Sequence, residues 1–599
     1  MQFRGLALVI CVWAGVLGAS ALEYPTNREL AQHLKDLEKG HRKLVRVESV
    51  AKSRGNQDVW LAELGAGSDA ERRRRPALLL AAGLEGNDFA GTAIAVAWIE
   101  HLAKSNATNE VIRKLLESTT LYIFPRVNPD ASGRFFAKPK VELTVSRQPV
   151  DDDHDGLVDE DGPDDLNADG LITSMRVEDR EGEYIADPAE PRLLLKADKA
   201  KGEVGAWRLL TEGRDNDGDE AWNEDGPGGV NFNRNFPYNY RFFEPWSGLH
   251  QVSESETRTL ADFIVEHPNI GIVFTYGAAD NLVQTPSSES KGEGPGRRPP
   301  TIIHKDDLPY YRELGKAYRD ALGLKKELKT VSEPGTFSDW MYFHRGRLSL
   351  AAQPWSPALQ LELAKSKTKE GDKKAKETGA AKEEKTNEKK EEAGDAQKPD
   401  EAKKPSEPGK PEPDKRNEEE RAFLKWIDEN AKELFVPWKS VEHPDFPGKK
   451  VEIGGLAPFA RSNPPEKLLE PLAEKQGKFL TDLAGKLPRV SLRQTKVKHL
   501  GESIYDVTVQ VENSGYLPTS LAQGDVSNEV NSTRVVLDVE PGDILSGSKR
   551  TMLGPIEGSG GMKEVRFVIR AKGRSQIEVE IISMLGGSVH ANIDLKKEQ

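Results

Sequence analysis

Between Glu23 and about Leu361 the sequence repeats an arrangement that few folds accommodate. Short, apolar runs bounded by glycine, proline or polar residues alternate with stretches of helical spacing. Ala77-LLLAAG, Leu121-YIFPRV and Ile270-GIVFTY are such runs. Strands covered on both faces read as continuous apolar runs, so these predict buried strands of a mostly parallel sheet. Thr92 to Lys104, Glu254 to Glu266 and Pro309 to Leu322 predict helices. The alternation implies an α/β layer fold.

From about Pro488 the period changes to two. Ser503-IYDVTVQVENSG, Thr533-RVVLDVE, Glu564-VRFVIRAKG and Ser575-QIEVEIIS alternate apolar and polar residues, with glycine- and asparagine-rich turns between them. This predicts an antiparallel β-sandwich. It holds no cluster of nucleophiles or metal ligands, so an interaction module is the modest reading. Residues 364–416 are Lys, Glu, Pro, Ala and Asp with few large apolar side chains. Such a segment cannot bury enough surface to offset its ordering entropy and is expected to be a disordered, solvated tether. Glu418-EERAFLKWIDENAKELF then reads as an amphipathic helix returning the chain to the α/β unit.

The N-terminus reads as a secretory signal: Arg4, an apolar stretch from Gly5 to Leu17, and the small residues Ala19-Ser20-Ala21. The stretch is shorter than the roughly 20 residues that span a bilayer, so no membrane span is expected after cleavage. The single cysteine, Cys11, falls inside the signal, so stability is expected without disulfides. The formal net charge of −13 argues against nucleic acid or an anionic membrane as a main partner.

Five phrases, in order, resemble the zinc carboxypeptidase (carboxypeptidase A-like) family: Gly83-LEGND, Asn128-Pro129-Asp130, Asn231-FNRNFPYNY, Ser253-ESETRTLADFI, and Gly335-TFSDWMYFHRG leading to Leu350-AAQPWSP. The resemblance covers about residues 24–361 and 417–486. It implies a carboxypeptidase-like mixed, mostly parallel sheet flanked by helices, followed by the sandwich. It also implies zinc held by two histidines and a glutamate, with a further glutamate as general base. At the matched positions Glu85 and Asp88 replace the His-x-x-Glu pair, Gly277 the later histidine and Gln353 the general base. Val331 stands about where a substrate-capping tyrosine belongs. Glycine supplies no ligand, and an amide takes up no proton near neutral pH. Zinc, expected for the family, is therefore doubtful here. Asn233 and Arg234 match the pair that grips a peptide's C-terminal carboxylate, a task suited to the planar guanidinium fork. The alternative is that they brace the sheet edge through internal pairs. Arg147, in Val145-SRQP, is matched to the oxyanion-stabilising arginine.

Two segments, Asp153-HDGLVDEDGP and Asp215-NDGDEAWNEDGP, resemble each other and flank Asp165-LNADGLIT. Alternate oxygen ligands around a sharp glycine turn can wrap calcium. The candidates are Asp151, Asp153, Asp155, Asp159, Asp161, Asp165, Asn167, Asp169, Asp215, Asp217, Asp219 and Asp225, and the likeness is to thrombospondin type 3 repeats. The other reading is an acidic loop without metal.

The organisation expected is a signal over 1–21, an α/β unit over 22–361 with an acidic insertion at 150–228, a charged insertion over 362–416, the end of the α/β unit over 417–487, and a β-sandwich over 488–599. The functional expectation is a secreted or periplasmic pseudopeptidase that binds peptide or protein C-termini, with structural calcium. One alternative is an active metallocarboxypeptidase with its metal moved to Glu85, Asp88 and an unmatched group. Another is an adhesion or scaffold protein acting through the sandwich.

Overall fold

The computed structural model describes residues 22–146, 148–149, 156, 158–159, 161–218, 222–223, 228–287, 302–331, 333–366 and 415–596. The expected signal and residues 367–414 of the charged insertion lie outside them.

The first unit is built on a six-stranded sheet. Its strands are β1 (Val45–Lys52), β2 (Asp58–Leu64), β3 (Ala77–Ala81), β4 (Thr120–Phe124), β9 (Ile270–Tyr276) and β10 (Leu348–Ala352), in the order β1-β2-β4-β3-β9-β10. The four strands β4, β3, β9 and β10 run parallel, while β1 and β2 form an antiparallel edge. The three apolar runs are β3, β4 and β9, β10 being a strand not foreseen from the sequence, and every residue of β3, β4, β9 and β10 is buried.

Helices α1 (Asn27–Gly40), α2 (Asp69–Arg74), α3 (Phe89–Ser105), α4 (Glu110–Ser118), α5 (Pro129–Phe135), α6 (Ser255–Glu266), α7 (Leu308–Leu322), α8 (Phe337–Phe343), α9 (residues 357–366), α10 (Glu418–Asn430) and α11 (Leu469–Ala484) accompany the sheet. Trp98 of α3 donates its indole N–H to Thr481 of α11 at 3.0 Å. Gln476 of α11 links Tyr276 of β9 to Tyr318 of α7 through buried hydrogen bonds of 3.0 and 2.7 Å. Phe263 of α6 packs edge-on against Tyr122 and Phe124 of β4.

A second six-stranded sheet was not foreseen. It joins β5 (Ser174–Glu178), β6 (Tyr184–Ala186), β7 (Leu194–Lys196) and β8 (Trp207–Thr211) of the acidic insertion to β11 (Phe435–Val441) and β12 (Val451–Leu456), in the order β11-β12-β5-β8-β6-β7. Its neighbours are all antiparallel. The return after residue 416 is thus divided. Its strands serve this second sheet, while α11 and the segment before it, through Phe459 and Asn463, pack back on α3. Arg176 fastens the sheet by lying over the rings of Trp438 and Trp207 while its Nε donates to Glu452 at 2.8 Å.

The C-terminal unit has two four-stranded antiparallel sheets. One is β13 (Val490–Gly501), β14 (Ile504–Asn513), β18 (Gly561–Arg570) and β16 (Ile544–Ser546). The other is β17 (Arg550–Gly554), β15 (Thr533–Leu537), β19 (Gln576–Ser583) and β20 (Gly587–Asp594). The inward positions of the period-two pattern, such as Val507, Val509, Val535, Phe567 and Val579, form one apolar core of a β-sandwich. A short helix, α12 (Ala522–Ser527), leaves the sandwich and packs against α8. Among the described residues no helix is long and apolar enough to cross a membrane.

Candidate functional site at the carboxyl edge of the sheet

The carboxyl ends of β3, β4, β9 and β10 meet on one edge, where open α/β sheets place their ligand sites. The loop after β3 turns at Gly83, whose φ of +61° suits glycine. The turn closes through Asp88, which accepts from Gly83 N at 3.1 Å and, as N-cap of α3, from Gly91 N at 2.8 Å. Asn463 caps the same helix from far along the chain, its Oδ1 accepting from Phe89 N and Ala90 N, both at 2.9 Å.

Glu85 stands in the middle of this loop with its carboxylate buried. Oε1 accepts from Asn233 Nδ2 at 2.9 Å and Oε2 from Ala278 N at 2.9 Å. Burial raises its pKa, opposed by those two hydrogen bonds. Asn233 is itself held on its other side, since its Oδ1 accepts from Phe337 N at 3.1 Å. The carboxylate lies directly before Gly277: a Cβ there would sit 3.3 Å from Oε1, and a longer side chain would run into the carboxylate. Glu85, Asn233 and Gly277 are therefore brought together, and Asp88 lies on the same loop. Both Asp88 oxygens face main-chain N–H groups.

Gln353 follows β10. Its backbone N–H donates at 3.0 Å to Asp280, which also accepts from Leu282 N and Val283 N. Burial lifts the Asp280 carboxyl to about 6. Gln353, Ala278, Val331, Glu333 and Arg461 are among the residues around a cavity of about 450 Å³. Val331 is largely exposed at its rim. Arg234 is half-buried, its guanidinium paired with the Glu333 carboxylate and 5.9 Å from the centre of the Trp246 ring. Arg147 lies outside the described residues.

Asp280, Asn463, Glu333 and Arg126 were missed from sequence. Arg126 is buried at the end of β4, donates to Asn27 Oδ1 and Pro25 O at 2.8 Å each, and has its pKa lowered to about 10 by burial, opposed by Asp88. Its placement within the run Leu121-YIFPRV was the available signal, since a cation beside a buried strand needs a partner.

In the acidic insertion the two similar segments lie side by side. Buried Asp161 of the first accepts from Asn216 N, at 3.0 Å, and Asn223 N of the second. Asp165 accepts from Asp169 N and Gly170 N, Asn167 from Asp169 N, and Asp169 from Leu171 N. Asp215 accepts from Gly218 N. Asp159 accepts from Gly228 N, and Asp217 sits in the same second segment. Asp151, Asp153, Asp155, Asp219 and Asp225 lie outside the described residues. Among the described residues no group of three or more His, Cys, Asp or Glu side chains is placed to hold a metal ion.

The zinc carboxypeptidase family model matches residues 30–151 and 190–369, about half of the chain, and a domain of unknown function matches 489–594. The chain belongs to the zinc carboxypeptidase family. It is 26% identical over 121 residues to carboxypeptidase D of Anas platyrhynchos, covering 20% of this chain and 9% of the relative. It is 28% identical over 107 residues to a zinc carboxypeptidase of Saccharothrix mutabilis subsp. capreolus, 18% of this chain and 24% of the relative. The matches thus span less than a third of these relatives. The crystal structure of carboxypeptidase A from Helicoverpa armigera aligns at 14% identity and a TM-score of 0.34, over 55% of this chain and 63% of that one.

Proposed function

We propose that this chain is a non-catalytic member of its family that binds peptide C-termini, or similar carboxylates, at Arg234. One observation carries the reading. The Glu85 carboxylate fills the space before Gly277 with both oxygens committed to Asn233 and Ala278. Zinc in this family calls for two imidazoles and a carboxylate with a position left for water. Here the matched positions offer no imidazole, Asp88 is spent on capping α3, and Gln353 has no basic atom to take a proton. These residues do not fit a zinc ion, and no hydrolytic step is derived through one.

Arg234 supports the binding half. A carboxylate of the chain itself, Glu333, rests on its guanidinium, so the group is placed to take one, and a ligand would exchange with Glu333. The N-terminal pattern supports export to the outside or the periplasm. The Asp-x-Asn-x-Asp-Gly turn at 165–170 supports structural calcium in the insertion.

The test is elemental mass spectrometry after dialysis with zinc and calcium, followed by binding of N-acetyl-leucine and its amide. The expected result is calcium without stoichiometric zinc, and binding of the acid that falls at least tenfold in Arg234→Ala while the amide does not bind. One tightly held zinc per chain with peptide hydrolysis would overturn the reading.

A further inference from the structure

The segment after Arg234 leaves an unusual set of side chains uncovered. Phe242, Phe243, Trp246 and Leu249 are 56%, 101%, 52% and 84% exposed within eight residues. Scattered apolar residues on a surface need no explanation, but a contiguous group marks an interaction site. The backbone is also held against its preference. Phe243 and Trp246 both have φ of +63°, a left-handed conformation that costs a non-glycine residue of order 1–3 kcal/mol and persists only where the surroundings impose it.

Those surroundings are hydrogen bonds to the base of the loop. Buried Asn235 donates to Ser247 O and His250 O at 2.8 and 3.0 Å. Tyr240 OH reaches Gly248 O at 2.6 Å, and Asn231 N reaches Trp246 O at 2.9 Å. The loop is therefore a fixed platform that displays aromatic rings, which lowers the ordering cost of binding. Its base is the same turn that carries Arg234, and Trp246 lies beside that guanidinium.

We infer that the 242–249 loop holds the apolar last residues of an extended peptide whose C-terminal carboxylate takes the place of Glu333 on Arg234. This rests on the proposed function and adds the class of ligand. An extended chain advances about 3.4 Å per residue, so the Trp246 ring, 5.9 Å from the guanidinium, lies within two residues of the carboxylate. Continuity with the arginine favours a peptide. A lipid surface is disfavoured because residues 241–250 hold one arginine against one glutamate, without the basic cluster that anionic headgroups select, on a chain of net charge −13.

The experiment uses the full chain and fluorescein-labelled hexapeptides ending in leucine and phenylalanine, as free acid and as amide, with a serine- and asparagine-ended acid as control. Binding is read by anisotropy on the parent and on Phe242→Ser/Phe243→Ser, whose substituted side chains are exposed and leave the loop's anchoring bonds in place. The apolar acid is expected to bind at least tenfold more tightly than the polar acid, and to lose at least tenfold in the double variant. N-acetyl-leucine, which reaches only Arg234, binds both proteins alike. Equal binding of the apolar peptide to both proteins, or binding that survives amidation, overturns the inference. In the first case unchanged N-acetyl-leucine binding leaves the Arg234 reading standing. Absence of peptide binding, or sedimentation with phosphatidylcholine vesicles that the double variant abolishes, overturns it as well.

Discussion

Glu85 ties three distant segments together, since its loop after β3 meets Asn233 and the backbone after β9 through one carboxylate. Removing it leaves the buried Asn233 Nδ2 without its acceptor, which costs about 1–3 kcal/mol, while Ala278 N, at an exposed residue, can turn to water. Glu85→Ala is expected to lower stability by roughly 1–3 kcal/mol, and Glu85→Gln by about 1–2, because the amide must turn its NH2 toward a donor. Urea denaturation of both variants checks this, and an unchanged midpoint would remove Glu85 from its structural role. Glu256 tests burial rather than pairing. Desolvation in α6 raises its pKa to about 7, opposed by its own backbone N–H and Ser255. Between about pH 4 and 7 the folded chain therefore holds a proton that the unfolded chain has released. That contribution is complete below about pH 4 and lost as pH rises through 7. Glu256→Gln should match the parent near pH 4 and exceed it by roughly 2 kcal/mol above pH 8, flattening the profile of thermal midpoint against pH.

At the scale of elements, α3 begins where two capping groups converge. Asp88 is the local cap, while Asn463 arrives from 374 residues away to accept from Phe89 N and donates to Asn87 O at 2.7 Å. Asn463→Ala leaves two first-turn N–H groups buried and unpaired, an expected loss of about 2–4 kcal/mol. Hydrogen exchange should speed first at Phe89 and Ala90, and protection there equal to the parent would show that Asp88 suffices. This cap also marks the limit of what the sequence discloses. The parallel strands β3, β4 and β9 were legible because each is a run of consecutive buried residues, and β14, β15, β18 and β19 of the sandwich because apolar and polar residues alternate along them, whereas β10, β13, β16, β17 and β20 were not read. The second sheet was not, since β6 and β7 have three residues each and β5 finds its partner β12 across more than 270 positions of chain. In the site, Glu85 and Gly277 could be placed by their neighbours in ordered phrases. That Glu85 bonds Asn233, 148 residues on, could not, because nothing local to either residue encodes the contact.

Across the whole molecule, the sandwich is clasped to the α/β unit by a carboxylate reaching into a helix end. Asp307 Oδ1 accepts from Ala522 N at 2.8 Å and Oδ2 from Gln523 N at 3.0 Å, while Tyr342 OH donates to the same group at 2.9 Å. Gln523 Nε2 answers by donating to Phe343 O at 2.9 Å, and Arg345 pairs with Glu529 at 2.8 Å. Gly346 and Gly524 let the two backbones approach so closely that a Cβ on Gly346 would overlap the partner chain segment. These contacts converge on α8, whose first N–H, at Phe337, is the one that holds Asn233. The sandwich is therefore coupled to the site through this short helix, beside further contacts between the units such as Tyr516 with Tyr310 of α7 and Arg489 with Ser118 of α4. Asp307→Ala removes the acceptor for one buried and two half-buried donors at the joint, a loss of about 2–3 kcal/mol concentrated between the two units. The parent is expected to unfold in one calorimetric transition, and Asp307→Ala in two, with the sandwich and the α/β unit melting apart. Asp307→Asn, which keeps one acceptor, should fall between them. A single transition at the parent's temperature in Asp307→Ala would show that the other contacts between the units, the glycine approach and the Arg345–Glu529 pair among them, hold without the clasp.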